Sequence, residues 1–170
     1  YQSEALLNYL SLLGWNPGTE EEIMSLSKII DQFDLLKVHK KSAVFDDKKL
    51  NWISGQHLGM QANEDILIRI RLIKPNWGKT ESNDFCLSVI NLMKGRSKSL
   101  LDLIENSVYY FQDPTEFNEK VLRKTWKDDT SNIVESVHSI LDSMEIWNAE
   151  LLEDTLKDFM ESNELGFGKV

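Results

Sequence analysis

The sequence predicts an all-α protein made of two small helical subdomains. Apolar residues recur at spacings of three and four along most of its 170 residues, which is the period of a helix with one buried face. Polar residues able to cap a helix stand just ahead of these stripes, with glycine or proline just behind them. No stretch shows the apolar–polar alternation of a half-buried strand.

The elements follow in order. Ser3 is the expected N-cap of a first helix with Leu6, Leu7, Leu10 and Leu13 on its apolar side and Gly14 as its C′ stop. Asn16-Pro17-Gly18 makes a turn, and Ser25 caps a second helix through Leu26, Ile29, Ile30 and Phe33. Lys37 to Ser42 is a basic connection, and Ala43-Val44-Phe45 is too short to build a sheet. Asp46 caps a third helix carrying Leu50 and Ile53, expected to end at Gly55. Gly55, Gly59 and the polar Gln61-Ala62-Asn63 predict a boundary that divides the chain into 1–60 and 61–170.

Asn63 or Asp65 opens the next helix, with Ile66, Leu67, Ile70 and Ile73, and Pro75 ends it. Trp77-Gly78 turns the chain. Ser82 or Asn83 opens a helix running to Met93 and closed by Gly95. Ser99 caps a helix through Leu100, Leu103, Ile104 and Val108, which reaches the aromatic run Tyr109-Tyr110-Phe111. Asp113-Pro114 predicts a further helix start, with an acidic cap and proline at the first helical position. From about Asn132, Ile133, Val137, Ile140, Leu141 and Met144 form a stripe of period 3.6. Asn148 opens the last helix (Leu152, Leu156, Phe159, Met160), and Gly166-Phe167-Gly168 ends it. No internal repeat of solenoid length is present.

Composition excludes several classes. No apolar run approaches the ~20 residues of a membrane span. A single cysteine, Cys86, leaves no internal disulfide and no thiolate zinc site, and His39, His57 and His138 have no ligand-like spacing. A reducing intracellular setting is the default expectation. The first residue is Tyr1 rather than methionine, which suggests a fragment of a longer protein. The net charge of −9 is unevenly spread, with nine acids against one base, Lys157, between residues 135 and 164. Residues 66–80 carry Arg69, Arg71, Lys74 and Lys79 and no acid, and residues 91–101 carry Lys94, Arg96 and Lys98 and no acid.

Catalytic chemistry is missing. Cys86 sits in an apolar helical stretch and reads as a small buried hydrophobe. Glu153-Asp154 read as part of a solvated acidic face. There is no phosphate-cradling glycine loop and no zinc-protease motif. No catalytic residue, metal ligand or cofactor site is assigned.

Two stretches carry a resemblance. Glu4-Ala5-Leu6-Leu7-Asn8-Tyr9-Leu10-Ser11-Leu12-Leu13-Gly14-Trp15 and Phe45-Asp46-Asp47-Lys48-Lys49-Leu50-Asn51-Trp52-Ile53-Ser54-Gly55, with Ile23-Met24-Ser25-Leu26 between them, resemble the region just after the KMSKS-type loop of bacterial-type glutamyl-tRNA synthetases. Ser54 replaces that family's usual asparagine, and His57-Leu58-Gly59 replaces its common Tyr-Ile-Arg, so a contact made by that arginine is not carried over. Asn91-Leu92-Met93-Lys94-Gly95-Arg96 resembles the family's E-L-M-x-x-R segment. Tyr109-Tyr110-Phe111 resembles its aromatic run, and Gly166 to Val170 resembles the entry to its last anticodon-binding subdomain.

The resemblance implies a stem-contact domain over 1–60 and the first part of an α-helical anticodon-binding cage over 61–170. The parent would be a glutamate–tRNA ligase using ATP and magnesium. This part would not be catalytic and would grip tRNA(Glu), as a cytoplasmic monomer with no membrane or DNA partner. In the family, an arginine at the position of Arg96 reads the first anticodon base and favours cytosine. Lys94 and Lys98 flank it as candidate phosphate contacts. Lys157 stands where some members carry an arginine facing the anticodon loop. Lys37, Lys40, Lys41, Lys48 and Lys49 frame the first domain as ordinary surface lysines able to meet the tRNA inner corner. Tyr9, Trp15, Asn51 and Trp52 read as architecture. The competing assignment for Arg96 is an ion pair with Asp102. The competing function is a helical protein-interaction module with an acidic docking face.

Overall fold

The computed structural model describes residues 1–40 and 42–166. It contains α1 (Ser3–Gly14), α2 (Leu26–Gln32), α3 (Asp47–Gly59), α4 (Asn63–Ile73), α5 (Asn83–Met93), α6 (Leu100–Asn106), α7 (Glu119–Thr125), α8 (Thr130–Asp142) and α9 (Ala149–Ser162). Short 3-10 turns cover Leu35–Lys37, Lys94–Arg96 and Val108–Tyr110. Among the described residues there is no strand, only an isolated antiparallel bridge between Trp15 and Val38. The all-α expectation holds.

Local chemistry sets most of the helix starts. Ser25 accepts from Lys28 N, Asp46 from Lys48 N and Lys49 N, Ser82 from Phe85 N, Ser99 from Asp102 N, and Asn148 from Leu151 N. Each such cap is worth ~1 kcal/mol. Ser3 is not a cap: α1 begins after Gln2, and the Ser3 hydroxyl donates to Glu4 instead. No helix starts at Asp113-Pro114; α7 begins at Glu119, where Asn118 accepts from Lys120 N and Val121 N. The start of α8 lies at Thr130 rather than Asn132, and the Thr130 hydroxyl takes the Lys127 N–H of the turn that precedes it.

The chain divides into two compact units, Tyr1–Asp113 and Pro114–Val170. The boundary expected at residue 60 falls within the first unit, in the turn between α3 and α4. Apolar clusters lie on both sides of that turn. Ala5, Tyr9, Leu50 and Ile53 form one, and Trp15, Met24 and Ile29 a second. The largest gathers residues of α4, α5 and α6 around Ile66, Ile70, Val89, Ile90 and Leu103, with Leu58 and Trp77. Trp77 Nε1 donates to Ser107 Oγ at 2.9 Å, which satisfies its buried indole. Gly78 has φ +58°, and a Cβ there would meet Cys86 Sγ at 2.5 Å, so the turn requires glycine. In the second unit, half-buried Ile133, Val137, Ile140 and Leu141 mark the expected stripe of α8.

Two helices differ from expectation, one in its buried face and one in its length. The buried residues of α1 are Ala5, Asn8 and Tyr9, while Leu6, Leu7 and Leu10 are exposed. A buried amide is what rotates the helix. Asn8 Nδ2 donates to the Glu22 carbonyl at 3.0 Å, and Asn8 Oδ1 accepts from Met24 N at 3.0 Å and lies 2.9 Å from His57 Nε2. In α3, Gly55 does not end the helix, which runs on to Gly59. A Cβ at Gly55 would stand 3.0 Å from the Ser97 carbonyl oxygen, so glycine here lets α3 approach the α5–α6 connection closely.

Candidate nucleic-acid interface

The connection between α5 and α6 is a tight corner. α5 narrows into the 3-10 turn Lys94–Arg96, closed by Ser97 N donating to the Lys94 carbonyl. Gly95 is therefore not a left-handed stop; among the described glycines only Gly18 and Gly78 have positive φ. Ser97 turns inward and donates to the Met93 carbonyl at 2.8 Å. Ser99 then caps α6. With Ser97 fixed inside, Arg96 and Lys98 on either side of it point out and are exposed.

Asp102 does not pair with Arg96. Its Oδ2 accepts from Lys98 N at 2.9 Å, bracing the α6 start, and its Oδ1 accepts from Asn106 Nδ2 at 2.8 Å one turn further along the helix, so both oxygens are engaged. Among the described residues the Arg96 guanidinium has no hydrogen-bond or ion-pair partner. The other flanking base, Lys94, behaves differently: its Nζ donates to the Gln61 carbonyl at 2.9 Å in a half-buried position. That ammonium ties the corner to the α3–α4 turn.

One face of α3 lies opposite the corner. Lys48, Asn51, Trp52 and Gln56 line a groove of about 360 Å³ with Gly95, Arg96, Ser97 and Lys98. Residues 48, 52 and 56 follow one another at i, i+4 and i+8, on the side of α3 away from its buried Leu50, Ile53 and His57. Trp52 was expected in the core and is instead 47% exposed in this groove. Sequence carried the signal, because position 52 falls off the 50/53/57 stripe. Asn51 is half-buried and accepts from the Tyr1 hydroxyl at 2.8 Å. Tyr9 and Trp15 are core residues as expected, 1% and 2% exposed. The Tyr9 hydroxyl takes the Asp46 N–H at 2.6 Å and so links α1 to the α3 cap.

The aromatic run after α6 returns to the same corner. The Tyr109 hydroxyl donates to Met93 Sδ at 3.7 Å. Its pKa is held above the ordinary phenol range, chiefly by the neighbouring Tyr110 hydroxyl, while the charge of Arg96 acts in the opposite direction.

The remaining predicted bases are mostly engaged elsewhere. Lys157, in the second unit, pairs with Glu153 at 2.5 Å within the acidic α9. That hydrogen bond raises the lysine pKa and lowers the carboxyl's. Lys49 pairs with Glu22, and Lys37 donates to the Pro17 carbonyl at 3.1 Å. Lys40 is exposed. Lys41 lies outside the described residues, as do Phe167 to Val170 of the C-terminal resemblance. Cys86 is buried with its thiol pKa pushed up by desolvation, the state of an inert core thiol. Among the described residues no three His, Cys, Asp or Glu side chains are grouped to hold a metal, and no helix is long and apolar enough to cross a membrane.

An exposed guanidinium, unpaired lysines and an exposed indole around one groove are the elements of RNA recognition: charge for phosphate, a planar fork for base edges and an aromatic face. Comparisons with known proteins agree with that class. The anticodon binding domain model matches residues 64–170, and the catalytic-domain model of class I (E and Q) tRNA synthetases matches residues 1–52. The chain belongs to the anticodon-binding domain family of these synthetases.

Its relatives are specific. The glutamate–tRNA ligase of Christiangramia forsetii is 36% identical over 100% of this chain and 34% of its own length. That of Flavobacterium johnsoniae is 32% identical over 98% and 33%. The crystal structure of a glutamate tRNA ligase from Elizabethkingia meningosepticum, in complex with its amino acid, superposes with a TM-score of 0.81 at 31% identity, over 100% of this chain and 34% of that one. The chain thus spans about a third of the length of the relatives it matches.

Proposed function

We propose that this chain is the tRNA-gripping part of a glutamate–tRNA ligase, with tRNA(Glu) as partner. Residues 1–60 are the stem-contact domain and 61–170 the first part of the anticodon-binding domain. The parent joins glutamate to its tRNA with ATP and magnesium, and no residue described here is assigned to that chemistry. Cytoplasmic location and a monomeric state belong to the same proposal.

The observation that carries it is the solvent-facing, unpaired Arg96 at the α5–α6 corner. A side chain carried on a backbone corner between two capped helices, with no internal partner of its own, is poised to address an external anion or base edge. Lys98 and Lys48 add phosphate attraction along the groove without reading sequence. Arg96 supplies identity: a charged hydrogen bond to a base edge is worth about 1.5–3 kcal/mol, enough to favour one base about ten- to hundredfold. Lys94 acts through the geometry of the corner. Lys157 is held by Glu153, which supports an intrahelical role. The similarity to tRNA ligases disfavours the acidic-docking alternative.

A salt titration tests the reading. Binding of this chain to glutamate tRNA should weaken with a log–log slope of about −2 to −4, set by the few exposed cations at the groove. A slope near zero, or equal affinity for unrelated duplex RNA, contradicts it.

A further inference from the structure

The aromatic end of α6 has a place in this site. Tyr109 is 59% exposed. Its ring centroid lies 4.4 Å from that of Tyr110 at an interplanar angle of 31°. Tyr110 in turn packs half-buried against the α4–α6 core. One face of Tyr109 is thus supported from below and the other is open. Its hydroxyl edge is anchored at Met93, the residue from which the turn carrying Arg96 departs. The ring therefore runs toward the corner, close enough for the Arg96 charge to act on the phenol.

We propose that the outer face of Tyr109 is the stacking shelf for the anticodon base whose edge Arg96 addresses. The inference rests on assigning the 94–98 corner to RNA reading. A base laid on that ring extends past the hydroxyl edge and presents its polar side to the guanidinium, in the plane a planar fork needs. Arg96 then sets which base is preferred. Tyr109 contributes affinity to any base, because every base has a π-face. Tyr110 is a positioning residue that keeps the shelf parallel to the core surface.

The test is a cycle between protein and RNA. This chain and its Tyr109→Phe, Tyr109→Leu and Tyr109→Ala variants are titrated with the anticodon stem-loop of glutamate tRNA, intact or abasic at the first anticodon position. The unsubstituted chain and Tyr109→Phe should agree within about twofold and lose about a hundredfold or more on the abasic RNA, which removes the base–aromatic stack and the Arg96 contact together. Tyr109→Leu and Tyr109→Ala should bind the intact loop about tenfold more weakly and lose about tenfold less on the abasic RNA than the unsubstituted chain does, the part that remains being the Arg96 contact. Unchanged circular dichroism melts certify the fold. If the leucine and alanine variants lose intact and abasic RNA by the same factor, or lose nothing, the shelf is refuted while the Arg96 assignment stands. If the unsubstituted chain does not prefer this stem-loop over one with a scrambled loop, the RNA reading falls and the shelf with it.

Discussion

Replacing Asn8 by leucine removes the buried amide that fixes the face of α1. Asn8 is fully buried at 0% exposure, and its side chain serves three partners: the Glu22 carbonyl, the Met24 N–H and His57 Nε2. Leucine keeps the branching at Cγ but is bulkier and offers no hydrogen bond. Glu22 is half-buried, so its carbonyl recovers water. Met24 and His57 are buried, at 2% and 8% exposure, and are stranded. Each stranded group costs about 1–3 kcal/mol, which gives a destabilisation of about 2–6 kcal/mol for the first unit. Urea unfolding measures the loss, and amide hydrogen exchange assigns it, because the Met24 amide should lose its protection. A loss under about 1 kcal/mol with the Met24 amide still protected would refute the claim that this amide, rather than the leucine stripe, orients α1.

Three further outcomes follow from the same geometry. Gly55→Leu should destabilise the first unit by about 2 kcal/mol or more and weaken RNA binding, because even a Cβ would lie 3.0 Å from the Ser97 carbonyl; Gly55→Ala should be nearly neutral in thermal melts, since its helix-propensity gain of ~1 kcal/mol offsets the crowding. Lys98→Ala should reduce the salt slope of RNA binding by about one, whereas Lys94→Met should leave that slope unchanged and lower the melting temperature, since its ammonium holds the Gln61 carbonyl. His57 has its pKa lowered, chiefly by burial and against the charge of Glu4. The unfolded chain therefore binds the proton more readily, and stability is full above the usual value near 6.5 and declines as pH falls through it toward the lower folded value. Urea midpoints between pH 7.5 and 5 should show that decline, flattened in His57→Gln.

Legibility in the sequence followed the range of the interaction. Caps at Ser25, Asp46, Ser82, Ser99 and Asn148 were readable because a cap bonds two or three residues away. The face of α1 was not, because Asn8 is paid for by partners 14, 16 and 49 positions distant, and an apolar count treats asparagine as outward. Gly55 looked like a terminator because its reason for being glycine, the Ser97 carbonyl, belongs to another helix corner. Asp113-Pro114 had the chemistry of a start but no apolar stripe behind it. In the candidate site, the exposure of Arg96 and Lys98 followed from two helices meeting at a short connection. The inward turn of Lys94 and the outward face of Trp52 depended on how α3 packs across that connection.

The most direct measurement concerns Arg96. Affinities of this chain and of Arg96→Gln are compared for two glutamate-tRNA stem-loops that differ only at the first anticodon base, cytosine or uridine. The unsubstituted chain should prefer cytosine about tenfold or more. The variant should lose most of that preference while its circular dichroism melt is unchanged. An equal preference in both proteins, or none in the unsubstituted chain, would contradict the assignment of base reading to the α5–α6 corner.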